Sequence, residues 1–121
     1  MSYSRNAVLA ALLLAGSAGA ALAHSYPKTS TPAPGSAVQT APGAVVIEFT
    51  EELEPRFSSL KVFNAHHQEV DKRDAHLAAD DAKHFSVDLA PLPPGTYTVV
   101  WHATSTDTHK THGHYHFTVA Q

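Results

Sequence analysis

The 121-residue chain has no cysteine, and Met1 is its single methionine. Without cysteine there is no disulfide staple, so the fold must be held by its core alone. Without thiolate or thioether beyond Met1, type 1 blue copper, iron–sulfur and methionine-based Cu(I) sites are excluded. Positive charge is also scarce. Eight Lys and Arg face eleven Asp and Glu, for a formal net charge of −3. That balance argues against nucleic acid, which calls for a basic face, and against docking on anionic lipid. Long apolar runs are missing too. The stretch Ala7–Ala15 is short, and Gly16, Ser17 and Gly19 break any continuation of it, so it makes no convincing membrane span.

The residue in surplus is histidine. Ten histidines outnumber all Lys and Arg, and every one lies after position 23. The start reads as a secretory signal: Arg5 in a short polar opening, the apolar stretch, then small residues leading to Ala21-Leu22-Ala23. Cleavage there makes residues 1–23 a signal peptide and 24–121 one small domain, expected to be exported and soluble. Nothing after the cut can span a bilayer; an uncleaved anchor is the alternative. The cut also makes His24 the new N-terminus. A free α-amine and an imidazole Nδ1 on one residue can close a six-membered ring on a metal ion. No internal histidine can do this, because its backbone nitrogen is an amide.

The rest of the chain reads as strands. Tyr26 to Pro42, rich in Pro, Thr, Ser and Gly, suits an extended edge strand followed by turns. Two-residue alternation predicts strands with Val45, Ile47 and Phe49 inward, Leu60 and Val62 inward, and Phe85, Val87 and Leu89 inward. After the Pro93-Pro94-Gly95 turn, Tyr97, Val99 and Trp101 alternate with Thr98, Val100 and His102. The last strand sets Tyr115, Phe117 and Val119 inward against His114, His116 and Thr118 outward. Glu51–Phe57 and the polar run Asp71–Lys83 break the alternation and read as loops, with room for a single helical turn. Short strands between turn signals point to an all-β sandwich.

In the loop 104–113, Asp107 and His109 place a carboxylate and an imidazole two residues apart. Each part has an ordinary explanation. Signal peptidases tolerate many residues after the cut, and Asp in a hairpin loop often caps its own turn. Their coincidence in a sulfur-free, exported β domain favours a metal site. Amine, two imidazoles and a carboxylate form an all-N/O set suited to tetragonal Cu(II). The amine, with an unperturbed pKa of about 8, loses its proton to a metal at little cost near neutrality.

These residues resemble the CopC/PcoC family of periplasmic copper-resistance proteins. The likeness runs from Ala23-His24 through the turn near Pro32–Ser36 and the strand ending Phe49-Thr50-Glu51. It resumes at Pro94-Gly95-Thr96-Tyr97-Thr98-Val99-Val100-Trp101, continues through Ser105-Thr106-Asp107-Thr108-His109, and closes with Gly113 to Phe117-Thr118-Val119. The resemblance implies a seven-stranded Greek-key β-sandwich, immunoglobulin-like or cupredoxin-like. It implies Cu(II) held by His24, Asp107 and His109, with Glu51 at an acidic position near the metal. It further implies exchange of copper with an inner-membrane permease of the CopD type. Two departures stand out. Thr108 replaces the family's usual glycine, so the loop is expected to do without a positive-φ residue there. The methionine-rich loop of members with a Cu(I) site has no methionine here, as in the shorter class with a Cu(II) site alone.

His112, His114 and His116 alternate along the last strand and share its outer face. His102 joins them if its strand pairs so that it lies across from His114 or His116. They are candidates for a second, weaker Cu(II) or Zn(II) site, or simply a solvated surface. His66, His67, His76 and His84 read as surface, and Trp101 as a core residue near enough to the loop to report on it. The whole is read as a periplasmic Cu(II) carrier or buffer in copper homeostasis and resistance, not an enzyme. A histidine-brace copper mono-oxygenase is the enzymatic alternative, but residues 24–121 leave little room for a flat substrate platform. A metal-free immunoglobulin-like interaction module is the structural alternative.

Overall fold

A computed structural model describes residues 25–121. The expected processing site and His24 lie outside the described residues. Eight strands run in order: β1 Pro27–Thr31, β2 Ala37–Val38, β3 Ala44–Phe49, β4 Ser59–Phe63, β5 His76–Ala78, β6 Asp81–Asp88, β7 Gly95–Thr104 and β8 Lys110–Val119. They form two four-stranded sheets, β1-β3-β6-β5 and β2-β8-β7-β4. The chain passes between sheets at every connection except the β5–β6 and β7–β8 hairpins, as a Greek-key sandwich requires.

The alternation read from the sequence is the alternation observed. Val45, Ile47, Phe49, Phe85 and Val87 are buried on the inner face of one sheet. Leu60, Val62, Tyr97, Val99, Trp101, Phe117 and Val119 are buried on the other. A period of two puts one apolar face on each strand, and packing those faces together removes both from water. The Phe49 and Trp101 rings meet edge-on across the two sheets at 5.4 Å, and Tyr97 stacks on Phe117 at 5.5 Å.

The expected sandwich carries one strand more than seven, because the two-residue β2 adds to β8 in parallel. A larger correction concerns the run Asp71–Lys83. It is not a plain loop: it holds β5 and the first residues of β6. Polar side chains organise that edge where apolar alternation is absent. Asp81 accepts the Lys83 amide at 2.9 Å and lies 2.9 Å from His84 Nδ1, while Asp74 accepts the Asp88 amide at 2.9 Å. The expected single turn of helix does occur, as a 3-10 turn at Pro55–Phe57.

The β7–β8 ladder runs without interruption from Gly95↔Val119 to Thr104↔Lys110. Within it, Gly113 faces Trp101. A β-carbon at Gly113 would lie 2.7 Å from Trp101 Cζ2, so the indole occupies space that any other residue would fill. We expect Gly113→Ala to displace the indole and cost about 1–3 kcal/mol, as overpacking does. Thermal unfolding and the near-ultraviolet signal of the single tryptophan check this; an unchanged melt and spectrum would show that the indole has room to spare.

Candidate metal centre

The tip of the β7–β8 hairpin, Ser105 to His109, is a tight turn built around its own side chains. The Ser105 amide donates to the His109 carbonyl at 2.9 Å, and the Thr108 amide to the Ser105 carbonyl at 2.8 Å. Ser105, buried at the base of the tip, donates its hydroxyl to Asp107 Oδ1. Asp107 Oδ2 lies 3.1 Å from His109 Nδ1. Carboxylate and imidazole are therefore side by side, both about half exposed (57% and 45% of their side-chain surface). The Ser105 hydroxyl first, and then His109, holds the Asp107 carboxyl below its usual pKa, so it is charged throughout the neutral range.

A second segment braces this tip from the side. Leu53 bridges to Ser105, Glu54 donates its amide to the Thr104 carbonyl at 2.8 Å, and Thr106 donates its amide to the Glu52 carbonyl at 3.1 Å. The hydroxyl of Thr104 reaches the Phe57 carbonyl at 2.8 Å. Leu53 is buried and pins this segment to the core. The hairpin tip thus has backbone support on its flank as well as at its base.

One expectation about the tip is corrected. Thr108 does take a positive φ, +74°, despite its branched β-carbon. The turn needs the left-handed conformation, and the Thr108 hydroxyl bonds the Asp107 carbonyl at 2.5 Å, which recovers part of the cost.

The first described residues are docked beside the same tip. Ser25 is fully buried. Its hydroxyl donates to the Glu51 carbonyl at 3.2 Å, and its carbonyl accepts from Thr111 Oγ1 at 2.6 Å. Tyr26 and Thr50 continue the contact, with the Thr50 amide donating to the Tyr26 carbonyl at 2.9 Å. Glu51 is exposed and meets this region through its backbone carbonyl.

The structure brings Asp107 and His109 together; His24 lies outside the described residues. Among the described residues, no three His, Asp or Glu side chains gather closely enough to hold a metal ion. The outward histidines sit in two pairs. His102 lies opposite His112, not opposite His114 or His116, so the condition set for its joining those two is not met. The His102 and His112 rings are 5.8 Å apart, and those of His114 and His116 are 5.9 Å apart. His66, His67 and His76 are exposed, and His84 lies beside Asp81. Sequence reasoning assigned no role to Ser105 or Ser25. Ser105 stands two residues before Asp107, the spacing of a hydroxyl that can reach a turn carboxylate, whereas no local signal marks Ser25.

A two-sheet Greek-key sandwich whose longest hairpin ends in a braced Asp-x-His turn is a distinctive class of small β domain. This chain belongs to the CopC family, whose domain profile matches residues 27–120. It is 40% identical over 98 residues to Protein YobA of Escherichia coli (strain K12), covering 80% of this chain and 79% of that protein. It is 36% identical over 126 residues to Copper resistance protein C of Escherichia coli, covering 98% and 99%. In structure it is similar to PcoC, a methionine-rich copper resistance protein from Escherichia coli. That match has a TM-score of 0.70 and 38% identity, covering 80% of this chain and 99% of PcoC.

Because the left-handed region costs a non-glycine residue about 1–2 kcal/mol, Thr108→Gly should relieve strain. Glycine's greater freedom in the unfolded chain offsets about 0.5–1 kcal/mol of that. We expect a net gain of up to about 1 kcal/mol in thermal unfolding, with Asp107 and His109 still paired. A clear loss of stability would show that the Thr108 hydroxyl outweighs the strain.

Proposed function

We propose that this protein is an exported, periplasmic Cu(II) carrier and buffer that serves copper homeostasis and resistance, and that it is not an enzyme. The ligands in this reading are the His24 α-amine and Nδ1, Asp107, and His109. The observation that carries it is the anchorage of Ser25. His24 is joined to Ser25 by one peptide unit, and consecutive α-carbons lie about 3.8 Å apart. Ser25 is itself held by Thr111, two residues beyond His109. In this reading that linkage keeps a terminal amine and imidazole within reach of the hairpin that carries the other two proposed donors. Such tethering raises their effective concentration without any further contact.

The chemistry of the donor set supports the oxidised ion. Amine, imidazole and carboxylate are suited to Cu(II), and sulfur donors are missing from every position after Met1. PcoC is described as methionine-rich, so this chain departs from it on the side of chemistry that favours Cu(I). Copper is cargo in this reading. Its capture and release depend on protons, since a metal must displace them from the amine and from imidazole. The periplasmic address rests on cleavage after Ala23; among the described residues no helix is long and apolar enough to cross a membrane. A permease of the CopD type is the proposed exchange partner, and Glu51 is proposed to lie just outside the ligands and support them.

A version of the protein with one extra alanine before His24 should bind Cu(II) about 10²–10⁴-fold more weakly, because the amine and its chelate ring are lost. Equal affinity in competition titrations would sink the amine-ligand reading. His109→Ala should change the paramagnetic resonance spectrum of bound Cu(II), whereas an unchanged spectrum would remove the hairpin tip from the metal. Competition with Cu(I) chelators should show Cu(I) bound less tightly than Cu(II); the reverse order would contradict the argument from missing sulfur.

A further inference from the structure

The outer face of the β4–β7–β8 sheet carries a row of side chains that the proposed centre does not use. The register sets Ser59, His102 and His112 side by side on three adjacent strands, and two residues further along sets Lys61, Val100 and His114. His102 and His112 are both exposed. Their rings lie 5.8 Å apart and only 24° from parallel. Two imidazoles on one ion, with metal–nitrogen distances of about 2.0–2.1 Å, put their ring centres about 4.5–6 Å apart. The observed separation already falls in that range.

The His102 ring is also oriented by a neighbour. Ser59 Oγ lies 3.4 Å from His102 Nδ1, across the β4–β7 pairing. A hydroxyl there can accept from Nδ1–H, which leaves the lone pair on Nε2, the nitrogen a metal needs. Directly opposed residues on paired strands are held at a fixed spacing by the backbone ladder, so little order has to be imposed on binding. The neighbouring pair His114 and His116 is arranged differently: its rings are 5.9 Å apart and inclined at 73°, both sit on one strand, and Thr98 Oγ1 lies 3.1 Å from His116 Nδ1.

From this geometry we propose that His102 and His112 form a cross-strand clamp for a borderline divalent cation, Cu(II) or Zn(II), separate from the hairpin tip. His112 lies three residues beyond His109 along the chain, about 10 Å at strand spacing. The clamp has two protein donors and completes its coordination with water, so it fills after any site with three or more. A weaker site on the same hairpin collects the ion close to the tip and lets it go readily.

The test uses the domain beginning at His24 with His109→Ala in place, and separately with one alanine added before His24. These changes impair the centre proposed above, so persistence of the second site in both keeps the two readings apart. Zn(II) chloride is titrated while the imidazole nitrogens are followed by NMR, and Cu(II) chloride is titrated by calorimetry. We expect the His102 and His112 resonances to move together, over the same range of added metal, in both proteins. His102→Ala or His112→Ala should weaken this equivalent about tenfold or more, with backbone spectra unchanged because both residues are exposed. Parallel movement of His66 and His67 at the same Zn(II) concentration would reduce the clamp to non-specific surface binding and overturn the proposal. So would equal affinity in the His102→Ala and parent proteins, or selective loss in His114→Ala.

Discussion

The register of β7 against β8 is the constraint on which the rest depends. Ten consecutive pairs, from Gly95↔Val119 to Thr104↔Lys110, fix every side chain on both strands to one face or the other. A slip of one residue would turn Tyr115 and Phe117 to solvent and His114 and His116 into the core. The same pairing sets Gly113 beneath the Trp101 indole, His102 against His112, and Ser105 at the base of the Asp107–His109 turn. Core, outer face and hairpin tip are three readings of one alignment.

Support for the tip comes from elements that meet it mainly through backbone groups. The segment around Leu53 binds the hairpin by backbone amides, and the domain's first described residue, Ser25, fills a buried slot between Glu51 and Thr111. Asp107 and His109 themselves remain half exposed. Rigid backing with open side chains is what the proposed carrier role asks for, since a closed cage would hold its ion too long. Membership of the CopC family, with relatives named as copper resistance proteins, is the separate finding on which that proposal draws.

The sandwich was legible wherever apolar residues alternate over several positions, as in Val45 to Phe49, Tyr97 to Trp101 and Tyr115 to Val119. It was illegible at β5 and the start of β6, where Asp74 and Asp81 organise the edge through backbone amides rather than through a buried face. The Asp107-x-His109 pair could be read because its members are close in sequence. Ser25 against Thr111 could not, since the two meet only once both sheets exist. Thr108 misled in the opposite direction: the residue type argues against a left-handed turn, yet the hairpin imposes one. The partner of His102 was left open for the same reason, because strand phase is a tertiary property.

The Ser25–Thr111 hydrogen bond joins residues 86 positions apart. A contact of such range closes one of the largest loops in the described chain, and the entropy of that closure is recovered only when both sheets are in place. The buried serine therefore senses the whole sandwich at once, because loosening either sheet removes one side of its slot. A ligand whose donors lay on both sides of that bond, as in the function proposed above, would add its binding free energy to the native state and withhold it from forms with a loose first strand.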